Sequence, residues 1–147
     1  MWQRQARDAR TRFPHPLHAV AFEAFAQAGG VLRSTQATAT TGAFVGAASS
    51  GYGELVARAA ASPSAHHAAA NSLSVIAGRL AFAYDLRGPA LVVETACSSS
   101  LLAVALAHRA LRDGELGTAL AAGLHVQALP QSTAYVGAAA MLSPQGR

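Results

Sequence analysis

Residues 92–102 read VVETACSSSLL, and this stretch decides the fold. Residues 90–94 begin with four apolar residues, and this segment is predicted to form a β-strand. Residues 98–112 are apolar on nearly every side when placed on a helix, which predicts a central helix. Cys97 therefore lies where a strand runs directly into a helix.

At such a junction, the N-terminal end of the helix favours a reactive cysteine thiol. Backbone N–H groups in the first turn have no partners within the helix and form the positive end of its dipole, so they stabilise a thiolate. The same N–H groups can hold the oxygen of a tetrahedral adduct. The serines at 98–100 can cap the helix end, and Ser98 is the candidate for support of the oxyanion or the nucleophile. The alternative is a small buried hydrophobic residue, and position alone leaves both interpretations of Cys97 open.

Outward from this junction, the spacing of apolar residues predicts alternating helices and strands. Helices are predicted at residues 16–28, 54–61 and 71–84, and strands at residues 42–47 and 117–126. Residues 127–147 are predicted to be loop with at most one helical turn. This alternation predicts an α/β fold with a mostly parallel sheet covered by helices.

The composition suits one folded domain. Apolar residues make up 52% of the 147 residues and charged residues 12%, which argues against disorder. The net charge is +4, and arginine supplies all 11 of the lysine and arginine residues. Residues 1–15 are predicted to be a basic N-terminal tail or helix, with Arg4, Arg7, Arg10 and Arg12 in solvent. We expect no nucleic-acid binding, because the basic pattern does not recur further along the chain.

Several other function classes are not favoured by the sequence. No run of strongly apolar residues is long enough to span a membrane, so we expect a cytoplasmic protein without a membrane partner. A single cysteine excludes an internal disulfide and a cysteine-built zinc site. His66 and His67 lack a third ligand at plausible spacing, which favours a loop or helix start there. No metal and no bound cofactor are expected.

The exact residues around the cysteine favour the functional interpretation. The sequence TACSSSL at residues 95–101 resembles the nucleophile motif of β-ketoacyl synthases, particularly those of modular polyketide synthases. Four further segments resemble, in order, the strand before the motif, the segment that leads into it, and the strand and loop that follow: residues 42–46, 71–90, 119–126 and 141–147. The resemblance covers residues 16–147, and its order and spacing are far more specific than a lone cysteine motif.

The resemblance implies a fold, a reaction and partners. Residues 16–147 are expected to form a partial β-ketoacyl synthase N-terminal domain, that is, an incomplete N-terminal half of a thiolase-like fold. In that family the cysteine takes an acyl group from the phosphopantetheine arm of an acyl carrier protein. A malonyl-type unit then loses carbon dioxide and attacks the thioester, in polyketide or fatty-acid biosynthesis. The family works as a homodimer.

The chain also departs from the family pattern. The family uses two histidines, in motifs that are expected beyond Arg147, and a lysine, whereas this chain contains no lysine. His108 lies three turns along the predicted helix, and His125 is interpreted as a packed strand residue, so neither replaces those histidines. We therefore expect this chain to accept an acyl group at Cys97 without condensing it. The alternative is a non-catalytic, truncated ketosynthase-like protein that acts only as a dimerisation partner.

Overall fold

Helices and strands form close to where the apolar spacing predicts them, with one addition near the end. The computed structural model describes residues 16–29, 40–49, 51–59 and 72–146. The predictions for residues 1–15 and for His66 and His67 lie outside the described residues. The elements in chain order are α1 (Pro16–Gln27), β1 (Thr41–Ala47), α2 (Tyr52–Ala59), α3 (Ser74–Tyr84), β2 (Ala90–Val93), a 3-10 turn (Ala96–Ser98), α4 (Ser99–Arg112), β3 (Thr118–Leu124) and α5 (Pro130–Ala138).

The sheet has three parallel strands in the order β2-β1-β3. Every residue of β1 is buried, because this central strand is flanked by a strand on each edge and by helices on both faces. Val45 lies opposite Val92 on β2 and opposite Ala122 on β3. The chain moves across the sheet in one direction from β1 to β2 and in the other from β2 to β3. Crossovers of the same hand then require connecting helices on opposite faces.

One face of the sheet is covered by α1 and α3. The buried residues that fill this layer, from the two helices and from alternate positions of β1, include Leu17, Ala21, Phe25, Ala43, Val45, Ala47, Ala77 and Leu80. Tyr84, at the end of α3, donates a hydrogen bond from its hydroxyl to the backbone carbonyl of His18 at 2.8 Å. This bond fixes the two helices to each other above the sheet.

The opposite face of the sheet is covered by α4. Phe44, which alternates with Val45 along β1, packs there against the alanines Ala103, Ala107 and Ala110. Those small side chains let the helix approach the sheet closely. The prediction of a central helix holds for this face only, since Leu101 is 72% exposed on the other side of α4.

The chain divides into two compact units, which are residues 1–47 with 73–124, and residues 48–72 with 125–147. The second unit contains α2 and α5, and α5 replaces the loop that the sequence predicts after residue 127. Pro130 occupies the first turn of α5, where its fixed φ suits a helix start. Within the described residues, no helix combines the length and apolar character that crossing a membrane requires.

Candidate active site

Cys97 lies just beyond the carboxyl end of β2, where open parallel sheets place their ligands. The strand ends at Val93, a 3-10 turn spans Ala96–Ser98, and α4 begins at Ser99. The predicted junction of strand, cysteine and helix is therefore present, with the 3-10 turn inserted in it. Cys97 is a free, exposed thiol in the middle of that turn.

The residue before the cysteine has a strained backbone. Ala96 has a φ of +52°, in the left-handed region that side chains with a Cβ rarely adopt. The cost for an L-residue is about 1–2 kcal/mol. Non-glycine residues in such conformations persist where the surrounding structure holds them, and they concentrate at functional sites.

Ser99 holds this strained turn from inside the fold. Its hydroxyl oxygen accepts a hydrogen bond from the backbone N–H of Thr95 at 2.8 Å and donates to the backbone carbonyl of Ala96 at 2.7 Å. Ser99 is only 5% exposed. The two bonds satisfy a hydroxyl that would be costly to bury without partners.

Ser98 closes the same turn from the solvent side. Its hydroxyl donates to the Thr95 carbonyl at 2.8 Å and lies 2.9 Å from the Thr95 hydroxyl. Ser98 occupies the N-cap position of α4, but its side chain makes no capping bond and its backbone is helical, with φ −91° and ψ −1°. The predicted side-chain cap is therefore wrong at Ser98, because capping requires an extended backbone there. The serine braces the turn instead.

Two glycines let α4 pack against the sheet at the site. A Cβ at Gly46 on β1 would lie 2.5 Å from the backbone nitrogen of Ser100, and a Cβ at Gly123 on β3 would lie 2.9 Å from the Ser100 Cβ. Neither distance is compatible with a side chain at its present position. β1 and β3 thus fix the start of α4, and the sequence signal was available, since glycine inside a strand marks a close approach.

The two other candidate histidines are both exposed. His108 is exposed on α4, eleven residues beyond Cys97, or about 16 Å along the helix axis. The interpretation of His125 as a packed strand residue is wrong, because β3 ends at Leu124 and His125 is exposed. Among the described residues, no group of three or more His, Cys, Asp or Glu side chains is placed to hold a metal.

A model of one known protein family matches nearly the whole chain. A family model described as "Beta-ketoacyl synthase, N-terminal domain" matches residues 3–147. The chain belongs to the β-ketoacyl synthase family. The resemblance to ketosynthase domains of type I polyketide synthases and the α/β, thiolase-like fold are confirmed.

Relatives of this ketosynthase chain are polyketide synthases. It is 44% identical over 110 residues to a mycocerosic acid synthase-like polyketide synthase of Mycolicibacterium smegmatis, covering 75% of this chain and 5% of the relative. It is 42% identical over 127 residues to polyketide synthase GfsA of Streptomyces halstedii, covering 86% of this chain and 2% of the relative. The chain thus spans a small part of the curated relatives that it matches.

Solved structures of ketosynthases share the fold. The ketosynthase from module 6 of the bacillaene synthase of Bacillus subtilis 168 superposes with a TM-score of 0.65 at 30% identity. That match covers 80% of this chain and 19% of the solved one. The oxazolomycin ketosynthase domain OzmH KS7 of Streptomyces albus JA3453 gives a TM-score of 0.60 at 34% identity, over 73% of this chain and 18% of the other. The described sheet and helices therefore correspond to part of a ketosynthase domain.

Proposed function

We propose that Cys97 is the acyl-accepting nucleophile of a β-ketoacyl synthase, and that the whole domain catalyses decarboxylative Claisen condensation in polyketide biosynthesis. One observation carries the proposal: in a chain of this family, an exposed thiol lies on a strained, braced turn between β2 and the start of α4. Strain that surrounding groups maintain is typical of positions where geometry matters for chemistry.

The first half-reaction is acyl transfer to Cys97. The substrate is an acyl thioester on the phosphopantetheine arm of an acyl carrier protein. The Cys97 sulfur forms a bond to the acyl carbonyl carbon, and the bond from that carbon to the pantetheine sulfur breaks. The proton that leaves Cys97 ends on the released pantetheine thiol. A covalent intermediate of this kind divides one difficult step into two easier ones.

A backbone N–H at the turn is the proposed donor to the oxyanion of the tetrahedral adduct. The N–H of Ser98 donates to the Thr95 carbonyl at 3.3 Å, and the N–H of Ser99 donates to the Ala96 carbonyl. Those bonds leave the N–H groups of Ala96 and Cys97 in this turn, and we take that of Cys97 as the candidate because it belongs to the nucleophile itself. Ser98 then supports the nucleophile by bracing the Thr95 end of the turn with its hydroxyl.

The second half-reaction belongs to the whole domain. A malonyl-type unit on a carrier protein loses carbon dioxide, and the resulting carbanion attacks the acyl carbon bound to Cys97, which releases the cysteine and gives a β-ketoacyl product. The family assigns two histidines and a lysine to this step, and this sequence contains no lysine. We therefore propose acylation for residues 1–147, and condensation, a homodimer and an acyl carrier protein partner for the parent enzyme. A cytoplasmic location stays a prediction.

The test is acylation of the chain itself, followed by intact-mass spectrometry. An acyl thioester, presented on an acyl carrier protein or as a small pantetheine analogue, is incubated with the wild-type chain and with Cys97→Ala. We expect one acyl group on the wild type and none on Cys97→Ala, because the sequence contains a single cysteine. No product is expected when malonyl carrier protein is added.

The alternative makes the opposite prediction. A non-catalytic protein that serves only as a dimerisation partner gains no acyl group, even though it is folded and its thiol reacts with iodoacetamide. Folded, alkylatable wild type that stays unacylated at high thioester concentration would therefore rule out the nucleophile role. Appearance of a β-ketoacyl product from residues 1–147 would contradict the assignment of condensation to the whole domain.

A further inference from the structure

The hydroxyl of Ser99 lies in an unusual place for a serine. Ser99 is the first residue of α4 and lies on the buried side of this helix. On the same side, Ala103, Ala107 and Ala110 pack against the sheet. Ser99 is only 5% exposed, whereas its neighbours Ser98 and Ser100 are both exposed. An alanine here would remove the partner that this hydroxyl provides to two backbone groups.

The partners of that hydroxyl lie on either side of the strained residue. The Thr95 N–H donates to it at 2.8 Å, and it donates to the Ala96 carbonyl at 2.7 Å. The backbone torsions of Thr95 and Ala96 lie between these two groups, and Ala96 is the residue with a φ of +52°. One hydroxyl therefore ties together the two ends of the segment that carries the strain.

We propose that Ser99 is a positioning residue for Cys97, an inference that rests on the proposed nucleophile role. By holding Ala96 in the left-handed conformation, the Ser99 hydroxyl sets the direction of the next peptide group, whose N–H belongs to Cys97. The thiol and that N–H are then aimed at one acyl carbonyl. Ser99 itself does not contact the substrate and acts through the turn.

A positioning role for Ser99 can be distinguished from a purely structural role by comparing two reactions of Cys97. Acyl transfer needs the sulfur and an oxyanion donor directed at the same carbonyl group, whereas alkylation by iodoacetamide needs only an accessible thiolate. Loss of the Ser99 hydroxyl should therefore separate the two rates. A misplacement of about 1 Å can lower a rate by about a hundredfold, so we expect acylation to fall by at least about tenfold.

The experiment compares the wild type with three variants in the full chain. Ser99→Ala removes the hydroxyl, Ser99→Thr keeps it, and Ser100→Ala makes the same deletion one residue further along α4, on an exposed side chain. Acylation by the small pantetheine thioester and alkylation by iodoacetamide are both followed by intact mass, and thermal unfolding by circular dichroism shows that each variant is folded.

The expected pattern is slow acylation with near wild-type alkylation in Ser99→Ala, and near wild-type rates for both reactions in Ser99→Thr and Ser100→Ala. If Ser99→Ala does not fold, the double variant Ala96→Gly with Ser99→Ala replaces it, since glycine accepts a positive φ without the brace. The same separation of rates is expected there, measured relative to Ala96→Gly alone.

Two results would overturn the inference while leaving the proposed function intact. One is wild-type acylation in Ser99→Ala, and the other is an equal fall in acylation and alkylation, which would mean that the thiol is merely less accessible. A different result separates the two proposals: if the folded wild type and Ser100→Ala are alkylated but never acylated, the nucleophile role fails, and the positioning role fails with it.

Discussion

The strain at the left-handed Ala96 and the hydrogen bonds of the two serine hydroxyls around it are comparable in free energy. The conformation costs about 1–2 kcal/mol in an L-residue, and a net intramolecular hydrogen bond contributes about 0.5–1.5 kcal/mol. The bonds from Ser98 and Ser99 to the backbone of this turn are therefore large enough to offset the strain. The turn is held by a few specific bonds, which makes it sensitive to single substitutions.

Ala96→Gly tests the strain directly. Glycine removes the cost of the left-handed conformation but gains about 0.4–1 kcal/mol of unfolded-state freedom, so the free energy of unfolding is expected to stay equal or rise by up to about 1.6 kcal/mol. Acylation of Cys97 is expected to slow, because the turn is no longer confined to one conformation. Chemical denaturation and the acylation rate measure the two effects separately.

Ala140 provides a matched control for that substitution. It is also a non-glycine residue in the left-handed region, with a φ of +54°, and it lies in the second unit. Ala140→Gly is expected to change stability by a similar amount without slowing acylation. A clear loss of stability in Ala96→Gly would contradict the account of strain at this residue.

At the scale of elements, the position of the first turn of α4 depends on the absence of a side chain on the strand residue that it contacts. Gly46 on the central strand faces the backbone of Ser99 and Ser100, which cannot move as a flexible side chain can. The position of Cys97 relative to the sheet is therefore set by how closely the first turn of α4 approaches β1.

Gly46→Ala is expected to destabilise the fold by about 1–3 kcal/mol, as overpacking of a tight contact typically does, and to slow acylation. Gly78→Ala is the control, because nothing lies within 4 Å of a Cβ at that exposed helical position. There we expect a gain of about 0.5–1 kcal/mol. Urea denaturation of both variants measures the difference, and equal stabilities would contradict the close approach at Gly46.

The helices and strands also show how much of the fold could be predicted from the sequence. The apolar runs around Phe44 and Val92 predicted β1 and β2 with shifts of one residue at an end, although only β1 is buried along its length. Helix α5 was missed because its sequence, PQSTAYVGA, has little apolar periodicity and Pro130 was its main signal. The junction at Cys97 was predictable. The brace by Ser99 was not, because it depends on a backbone conformation of Ala96 that sequence patterns assign to glycine or asparagine.

For the whole molecule, the outer side of α4 is the largest departure from the predicted burial. Leu101 and Val104 are 72% and 52% exposed, and they recur at helical spacing with Leu111 at 40%. The exposed His108 interrupts this stripe, but exposed apolar side chains of this kind still promote association in water. The second unit exposes further large side chains, among them Tyr135 and Met141.

We expect the chain on its own to self-associate, with an apparent mass in light scattering that rises with concentration. Replacing both Leu101 and Val104 with Gln should lower that mass at a given concentration. Val20→Gln serves as the comparison, because Val20 is 61% exposed on α1 and lies outside the stripe. A wild-type mass equal to that of a monomer at every concentration would contradict the prediction.

The strand order β2-β1-β3 also has a consequence for the time course of synthesis. β1 is made first, yet both of its edges are closed by strands that are translated later, β2 beginning at Ala90 and β3 ending at Leu124. At about 5–20 residues per second, the ribosome needs roughly 2–9 s to pass from the end of β1 to the start of β2. Through that interval β1, which becomes fully buried in the folded protein, has two unpaired edges, so the nascent chain is most vulnerable to wrong pairing before the segment that carries Cys97 has been made.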